Sequence, residues 1–219
     1  MGITNRKIRI GFVGVGGMGQ CAHLRNYATL ADCEVVAISE LRKETAQAVA
    51  QKYGIKTVYK DVADMFLNEN LDAIVASQQF TRHGVIIPDI LKAKIPIFIE
   101  KPLSGTLESG EKILECLKES GTWIMVGYHK RSDPATFYAK NEIERLKKSG
   151  ELGKLKYIRL LMPAGDWVSN GMFDLISKDS LTSSLQAEPA PTDMDAINHK
   201  KYITFVNFYI HQINLIRYL

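Results

Sequence analysis

A short β-branched run, Lys7–Val13, breaks into four glycines within six residues, Gly14, Gly16, Gly17 and Gly19, and resumes as an apolar-periodic stretch from Met18 to about Leu30. The hexad Gly14-Val15-Gly16-Gly17-Met18-Gly19 fits the spacing G-x-G-x-x-G. By itself that spacing is weak, because glycines also serve ordinary turns. Its setting narrows it: the glycines follow a predicted strand and open a predicted helix, and a second strand, Glu34–Ser39, runs into an acidic residue, Glu40, 21 positions after Gly19. A strand, a glycine turn, a helix and a carboxylate in that order are what a βαβ dinucleotide-binding unit requires.

Each member has a physical task. Gly14 allows the tight turn, Gly16 lets the backbone approach a pyrophosphate, and Gly19 lets the helix pack on the strand with its first amides facing the anion. Gly17 and Met18 complete the loop. Glu40 can accept hydrogen bonds from ribose hydroxyls, which favours NAD, since a carboxylate repels a 2′-phosphate. Arg42, two residues on, can instead pair with that phosphate, so NADP stays open.

The alternation continues downstream. Helical spacing at Lys43–Tyr53 ends at Gly54, and a brief extended piece, Val58–Tyr59, precedes Asp61, an N-cap for Val62–Asn68. Ala73–Ala76 reads as a buried strand, His83–Lys94 as a helix containing Pro88, and Ile95–Ile99 as a strand. Leu107–Ser120 is an amphipathic helix and Trp123–Val126 a further strand. Strands alternating with helices of this length imply an α/β fold with a doubly wound parallel sheet, a Rossmann domain over residues 1–127.

After Gly127 the pattern changes. Asp133–Ser149 reads as one long helix, Lys156–Met162 as a strand, Pro163–Lys200 as a long polar segment, and Tyr202–Leu219 as a closing helix. Residues 128–219 therefore read as part of a second, α+β substrate or oligomerisation domain. A polar segment of that length is unusual in a compact domain unless it is a lid or binding loop.

Composition excludes several classes. The 219 residues carry 28 basic and 24 acidic side chains without a like-charged block or a basic stripe, which argues against nucleic-acid binding. Cys21, Cys33 and Cys116 form no CxxC pair and suit a reducing compartment, and no metal centre is expected. Polar groups at Asn207, His211, Gln212, Asn214 and Arg217 interrupt the apolar C-terminal stretch, so a membrane span is not expected either. The basic start MGITNRKIRIGF turns into a strand rather than a leader, and a cytoplasmic protein is expected.

Two further features bear on chemistry. Glu100-Lys101-Pro102 lies at the end of a predicted strand, on the carboxyl edge where doubly wound sheets place ligands. A lysine there can donate to a reacting hydroxyl or carbonyl, with its pKa lowered by partial desolvation and a nearby positive nicotinamide; the plain alternative is a surface lysine before a turn. On the last helix Asn207, His211 and Asn214 are spaced four and three apart, and Thr204 extends the stripe among Phe205, Phe208, Ile210 and Ile213. Such a stripe can line a wet cleft, although a lone histidine on an apolar face is usually a satisfied core residue.

Taken together, these residues resemble the Gfo/Idh/MocA oxidoreductase family, which includes glucose–fructose oxidoreductase and inositol dehydrogenases. The resemblance rests on GVGGMG at 14–19, the helix led by His83, IEKPLSG from Ile99, VGYHKRSDPA from Val126, GELGKLKYIRL from Gly150 and the final FVNFYIHQINLIRYL. It implies that Lys101 is the catalytic lysine of the Glu-Lys-Pro motif, with the Lys101–Pro102 bond cis. It further implies that Ser77, Gln78, His83, Glu100 and His129 border the cofactor, and that Arg131 and Pro134 belong to the motif at the domain junction. His211 matches a histidine that contacts the reacting hydroxyl and relays its proton.

This chain departs from the family pattern at Asn207, where an aspartate is expected, and at Asn214, where another is common. Asparagine can hold a hydroxyl but cannot accept a proton at neutral pH. The family's second domain is an open sheet, of which only the strand Lys156–Met162 is expected here, so the chain reads as a fragment or a natural truncation that borrows strands.

The function implied is hydride transfer between nicotinamide and a secondary alcohol or carbonyl of a sugar, cyclitol or sugar derivative, by a homo-oligomer when full length. Asp166, Trp167 and Asn170 are candidates for polyol contact, with Trp167 equally suited to packing at the domain seam. A non-catalytic dinucleotide sensor on the same fold, and redox-assisted elimination on a glycoside, are the alternatives.

Overall fold

β1 (Ile8–Val13) carries Ile10 and Phe12 toward one face of a sheet and Val13 toward the other, the period of two that a strand buried on both faces demands. β4 (Ala73–Ala76) repeats the device, with Ile74 and Ala76 on one face and Val75 on the other. The structure, a computed structural model, describes residues 6–161, 172, 174–181 and 183–219.

With β2 (Cys33–Ser39), β3 (Thr57–Tyr59), β5 (Ile97–Ile99) and β6 (Ile124–Val126), these strands form a six-stranded sheet in the order β3-β2-β1-β4-β5-β6. All five pairings are parallel. This is the doubly wound arrangement expected, and its direction of winding reverses between β1 and β4.

Helices cover both faces. After the glycines, a six-residue segment with π-type hydrogen bonding, Gly19–Leu24, runs into α1 (Arg25–Tyr27). α2 (Lys43–Tyr53) closes on Gly54 in the left-handed region, and the Asp61 carboxylate caps α3 (Val62–Asn68) through the Ala63 amide at 2.6 Å. α4 (His83–Leu91) ends three residues before the expected Lys94, and α5 (Leu107–Ser120) spans the expected residues. One core cluster joins Phe12, Leu24, Ile38 and Val49; the other joins Met65, Ile74, Ile90, Ile97 and Ile113.

The chain divides into two units. The first comprises Met1–Val126 with Asp166–Pro189, the second Gly127–Gly165 with Ala190–Leu219. In the second, Asp133 caps α6 (Pro134–Ser149), and Asp195 caps α7 (Ala196–Tyr218) by accepting from the Ile197 and Asn198 amides, each at 2.9 Å. That cap starts the last helix six residues before the expected Tyr202.

The expected strand Lys156–Met162 is a correction. Residues 156–161 carry no strand pairing, and Met162 lies outside the described residues. A largely apolar run such as this becomes a strand only when a neighbour takes its amides and carbonyls, and no strand is found in this unit among the described residues. Among the described residues no helix is long and apolar enough to cross a membrane.

Candidate functional site

A cleft of about 1050 Å³ opens at the carboxyl edge of β1, β2 and β4, where the winding reverses. Gly14, Gly16, Glu40, Arg42, Ser77 and Gln78 line it. Gly14 has φ of 86°, and a side chain there would meet the Gln78 amide and lie 3.0 Å from the Ser77 carbonyl. A Cβ on Gly19 would come within 2.8 Å of the Gly14 carbonyl, so the helix start fits under the loop only as glycine. At Gly16 the same Cβ would meet nothing within 4 Å. The backbone there faces open space along the cleft, a cradle suited to a pyrophosphate's approach. Gly17 packs near Met172, and Met18 takes ordinary helical angles before the π-type turn.

Glu40 hangs at the end of β2 with its carboxylate almost fully engaged. Oε2 accepts from the Val15 amide at 3.0 Å and Arg42 Nη2 at 2.9 Å; Oε1 accepts from the Arg42 amide at 3.1 Å and Arg42 Nε at 3.0 Å. Burial alone would raise this carboxyl, but the Arg42 guanidinium and the two amides hold it below its ordinary value. The same bonds raise Arg42, against the cost of its own burial. Ser77 and Gln78 continue from β4: the Ser77 amide and Gln78 Nε2 both donate to the Val13 carbonyl, each at 3.1 Å. Arg82 Nη1 donates to Gln78 Oε1 at 2.5 Å and fixes that side chain.

The Lys101 region is built around two buried partners. The Lys101–Pro102 peptide is cis, as the resemblance implies. Glu100 Oε1 meets His23 Nε2 at 2.5 Å, and both side chains are mostly buried. Burial would raise Glu100, and the His23 contact, with smaller contributions from Lys101, brings it below the ordinary value. Half-buried Lys101 is lowered by desolvation, with the Glu100 charge working the other way.

His83 lies beneath this turn, fully buried, with Nδ1 at 3.1 Å from both the Pro102 and Leu103 carbonyls. It does not line the cleft; it ties α4 to the turn that presents Lys101. Burial lowers its pKa and so favours the neutral ring, which the carbonyl contacts partly oppose.

Within the second unit, the structure brings together residues that were read from distant motifs. The His129 and His211 rings meet edge to face with centroids 4.8 Å apart. Arg131 Nε donates to Asn214 Oδ1 at 2.8 Å, and its guanidinium lies 5.0 Å from the Tyr218 ring. Asn207 sits exposed one turn before His211 on α7. Asp166, Trp167 and Asn170 lie outside the described residues.

Several contributors escaped the sequence reading. His23 falls four residues after Gly19, a helical spacing that could have marked it as a partner for the sheet edge. Asp179 and Glu188 carry no comparable signal. Glu188, nearly fully buried, accepts from the Gly84 amide at 2.6 Å and the Gly105 amide at 2.9 Å, and so clamps the start of α4 to the loop after Lys101.

Comparison with known proteins agrees with this geometry. Residues 8–128 match the model of the Gfo/Idh/MocA family, described as an oxidoreductase family with an NAD-binding Rossmann fold. A myo-inositol 2-dehydrogenase of Thermotoga maritima is 26% identical over 97% of this chain and 54% of its own length. A scyllo-inositol 2-dehydrogenase (NAD(+)) of Bacillus subtilis is 30% identical over 70% of this chain and 44% of its own. Among solved structures, scyllo-inositol dehydrogenase from Lactobacillus casei, with NAD(H) and scyllo-inositol bound, superposes with a TM-score of 0.60 at 25% identity, covering 68% of this chain and 43% of that one. The chain spans about half the length of the curated relatives it matches.

Proposed function

The chain belongs to the Gfo/Idh/MocA oxidoreductase family, and from that premise we propose that it serves an NAD(P)-dependent dehydrogenase acting on a secondary alcohol of a cyclitol, sugar or sugar derivative. The observation that carries the reading is Lys101. A half-buried lysine lowered by desolvation stands at the end of β5, on the same carboxyl edge of the sheet as the glycine cradle and Glu40.

The residues present fit a nicotinamide dinucleotide. Gly14, Gly16 and Gly19 keep side chains out of the pyrophosphate's approach, and Glu40 is placed to accept from ribose hydroxyls, which favours NAD. When bound, the cofactor supplies the hydride acceptor or donor that the amino acids lack. Lys101 holds the reacting oxygen by hydrogen bonding and can carry its proton, aided by a lowered pKa. His83 and Glu188 position the turn from which Lys101 projects, and the Glu100–His23 pair fixes the residue before it.

On the second unit the family resemblance assigns proton relay to His211, whose ring is steadied by His129. Asn207 can orient a hydroxyl but cannot take its proton. The relatives' names make inositols the first substrates to try.

The test is turnover, read as reduced-nicotinamide absorbance across inositols and other polyols, alongside NAD binding. Lys101→Ala is expected to lower kcat by about 10²–10⁴-fold while NAD affinity holds. Cofactor binding with no turnover on any polyol would overturn the dehydrogenase reading. It would favour instead a non-catalytic dinucleotide-binding protein, the alternative to which Asn207 points.

A further inference from the structure

α2 begins without a cap of its own. Arg42 occupies the cap position and offers no side-chain oxygen to the first-turn amides. The missing acceptor arrives from far along the chain: Asp179 Oδ2 accepts from the Glu44 amide at 3.0 Å and Oδ1 from the Thr45 amide at 2.9 Å. The Thr45 hydroxyl donates to the same Oδ1 at 2.6 Å and accepts from the Lys178 amide at 3.0 Å, so the contact is reciprocal.

Other bonds hold the segment down on either side. Asp174 pairs with Arg25 at 2.9 Å and Lys52 at 3.0 Å, and the Gln20 amide exchanges two hydrogen bonds with the Ile176 backbone. Downstream, the Gln186 carbonyl accepts from Arg82, and Glu188 forms the clamp described above. Asp179 thereby becomes part of the wall of the same cleft that Gly14, Glu40 and Arg42 line.

In dinucleotide sites an arginine just past the acidic residue of β2 is the usual receiver of a 2′-phosphate, and first-turn amides of a helix favour anions. Both features exist here, in Arg42 and the Glu44 and Thr45 amides. The amides already hold a carboxylate, and Arg42 feels both Glu40 and Asp179.

We propose that Asp179 is a specificity-determining residue that excludes the 2′-phosphate of NADP by occupying, with its own carboxylate, the anion-binding start of α2. The inference rests on the dinucleotide reading above. It makes cofactor choice the work of two carboxylates from opposite parts of the chain, Glu40 from β2 and Asp179 from the returning segment.

The experiment measures NAD, NADP and 2′,5′-ADP affinities by calorimetry on the wild-type chain, Asp179→Ala and Asp179→Asn. Removing the charge is expected to tighten NADP and 2′,5′-ADP by on the order of tenfold, with NAD changing by less than about threefold. Asp179→Asn keeps an acceptor for the helix amides and carries the test if the alanine variant fails to fold. NAD binding with NADP affinity unmoved in the asparagine variant would overturn the inference and leave the dinucleotide reading intact. Equal gains for NAD and NADP would also overturn it, since the segment would then only shield the cleft. A wild-type chain that binds neither dinucleotide would overturn the underlying reading, and this inference with it.

Discussion

Four donors converge on Glu40, and a carboxylate has about four acceptor positions. A ribose can therefore hydrogen-bond to Glu40 only as Arg42 gives up part of its hold. The acidic residue was legible from its place after β2; its prior engagement was not, because Arg42 lies two residues away and could as well have pointed to solvent.

A different carboxylate shows how a single residue contributes to the acid response. The Arg6 guanidinium forks onto Asp72 at 2.6 and 2.7 Å, and the Arg9 amide adds a bond at 2.8 Å. Together they lower Asp72 from 3.8 to about 2. A carboxyl depressed on folding stabilises the folded chain above its unfolded pKa, so this contribution is complete above about pH 4 and fades as pH falls through about 2. Asp72→Asn should lower the urea midpoint near neutral pH and converge with the wild type near pH 2. A gap that stays constant with pH would refute this.

Strands and helices of the Rossmann unit were readable because their signals are local. Short, nearly continuous apolar runs mark the doubly buried β1 and β4, Asp61 announces α3, and Gly54 and Gly121 close α2 and α5 in left-handed geometry. The connections were not readable. Asp179 meets Thr45 across 134 residues and Glu188 meets Gly84 across 104, distances at which no sequence period operates.

The strand expected at Lys156–Met162 did not form over its described residues, 156–161, for the complementary reason, since strand propensity is realised only with a pairing partner. Glu188 is the connection with most to lose. Glu188→Ala would strand two buried amides at α4 and the Lys101 loop, costing about 2 kcal/mol in a denaturant titration. An unchanged midpoint would mean that water or a neighbouring group replaces the carboxylate.

Stability should be distributed unevenly over the chain. Every buried hydrophobic side chain among the described residues belongs to the Rossmann unit, from Ile10 to Ile113, whereas α7 has no buried residue and α6 only Thr136. Helices without a covered apolar stripe open readily. Amide hydrogen exchange should therefore find β1, β2 and β4 protected about 100-fold or more above α6 and α7. Comparable protection in both units would refute this.

The segment ending at Pro189 also bears on how such a chain could be divided or recombined. A cut after Val126 would keep all six strands and the glycine loop, yet it would leave the start of α2 bare and release the clamp between α4 and the Lys101 turn. The coenzyme half is thus not a portable cassette ending where its sheet ends; whatever inherits its strands must also inherit, from much later in the chain, the short return that closes it.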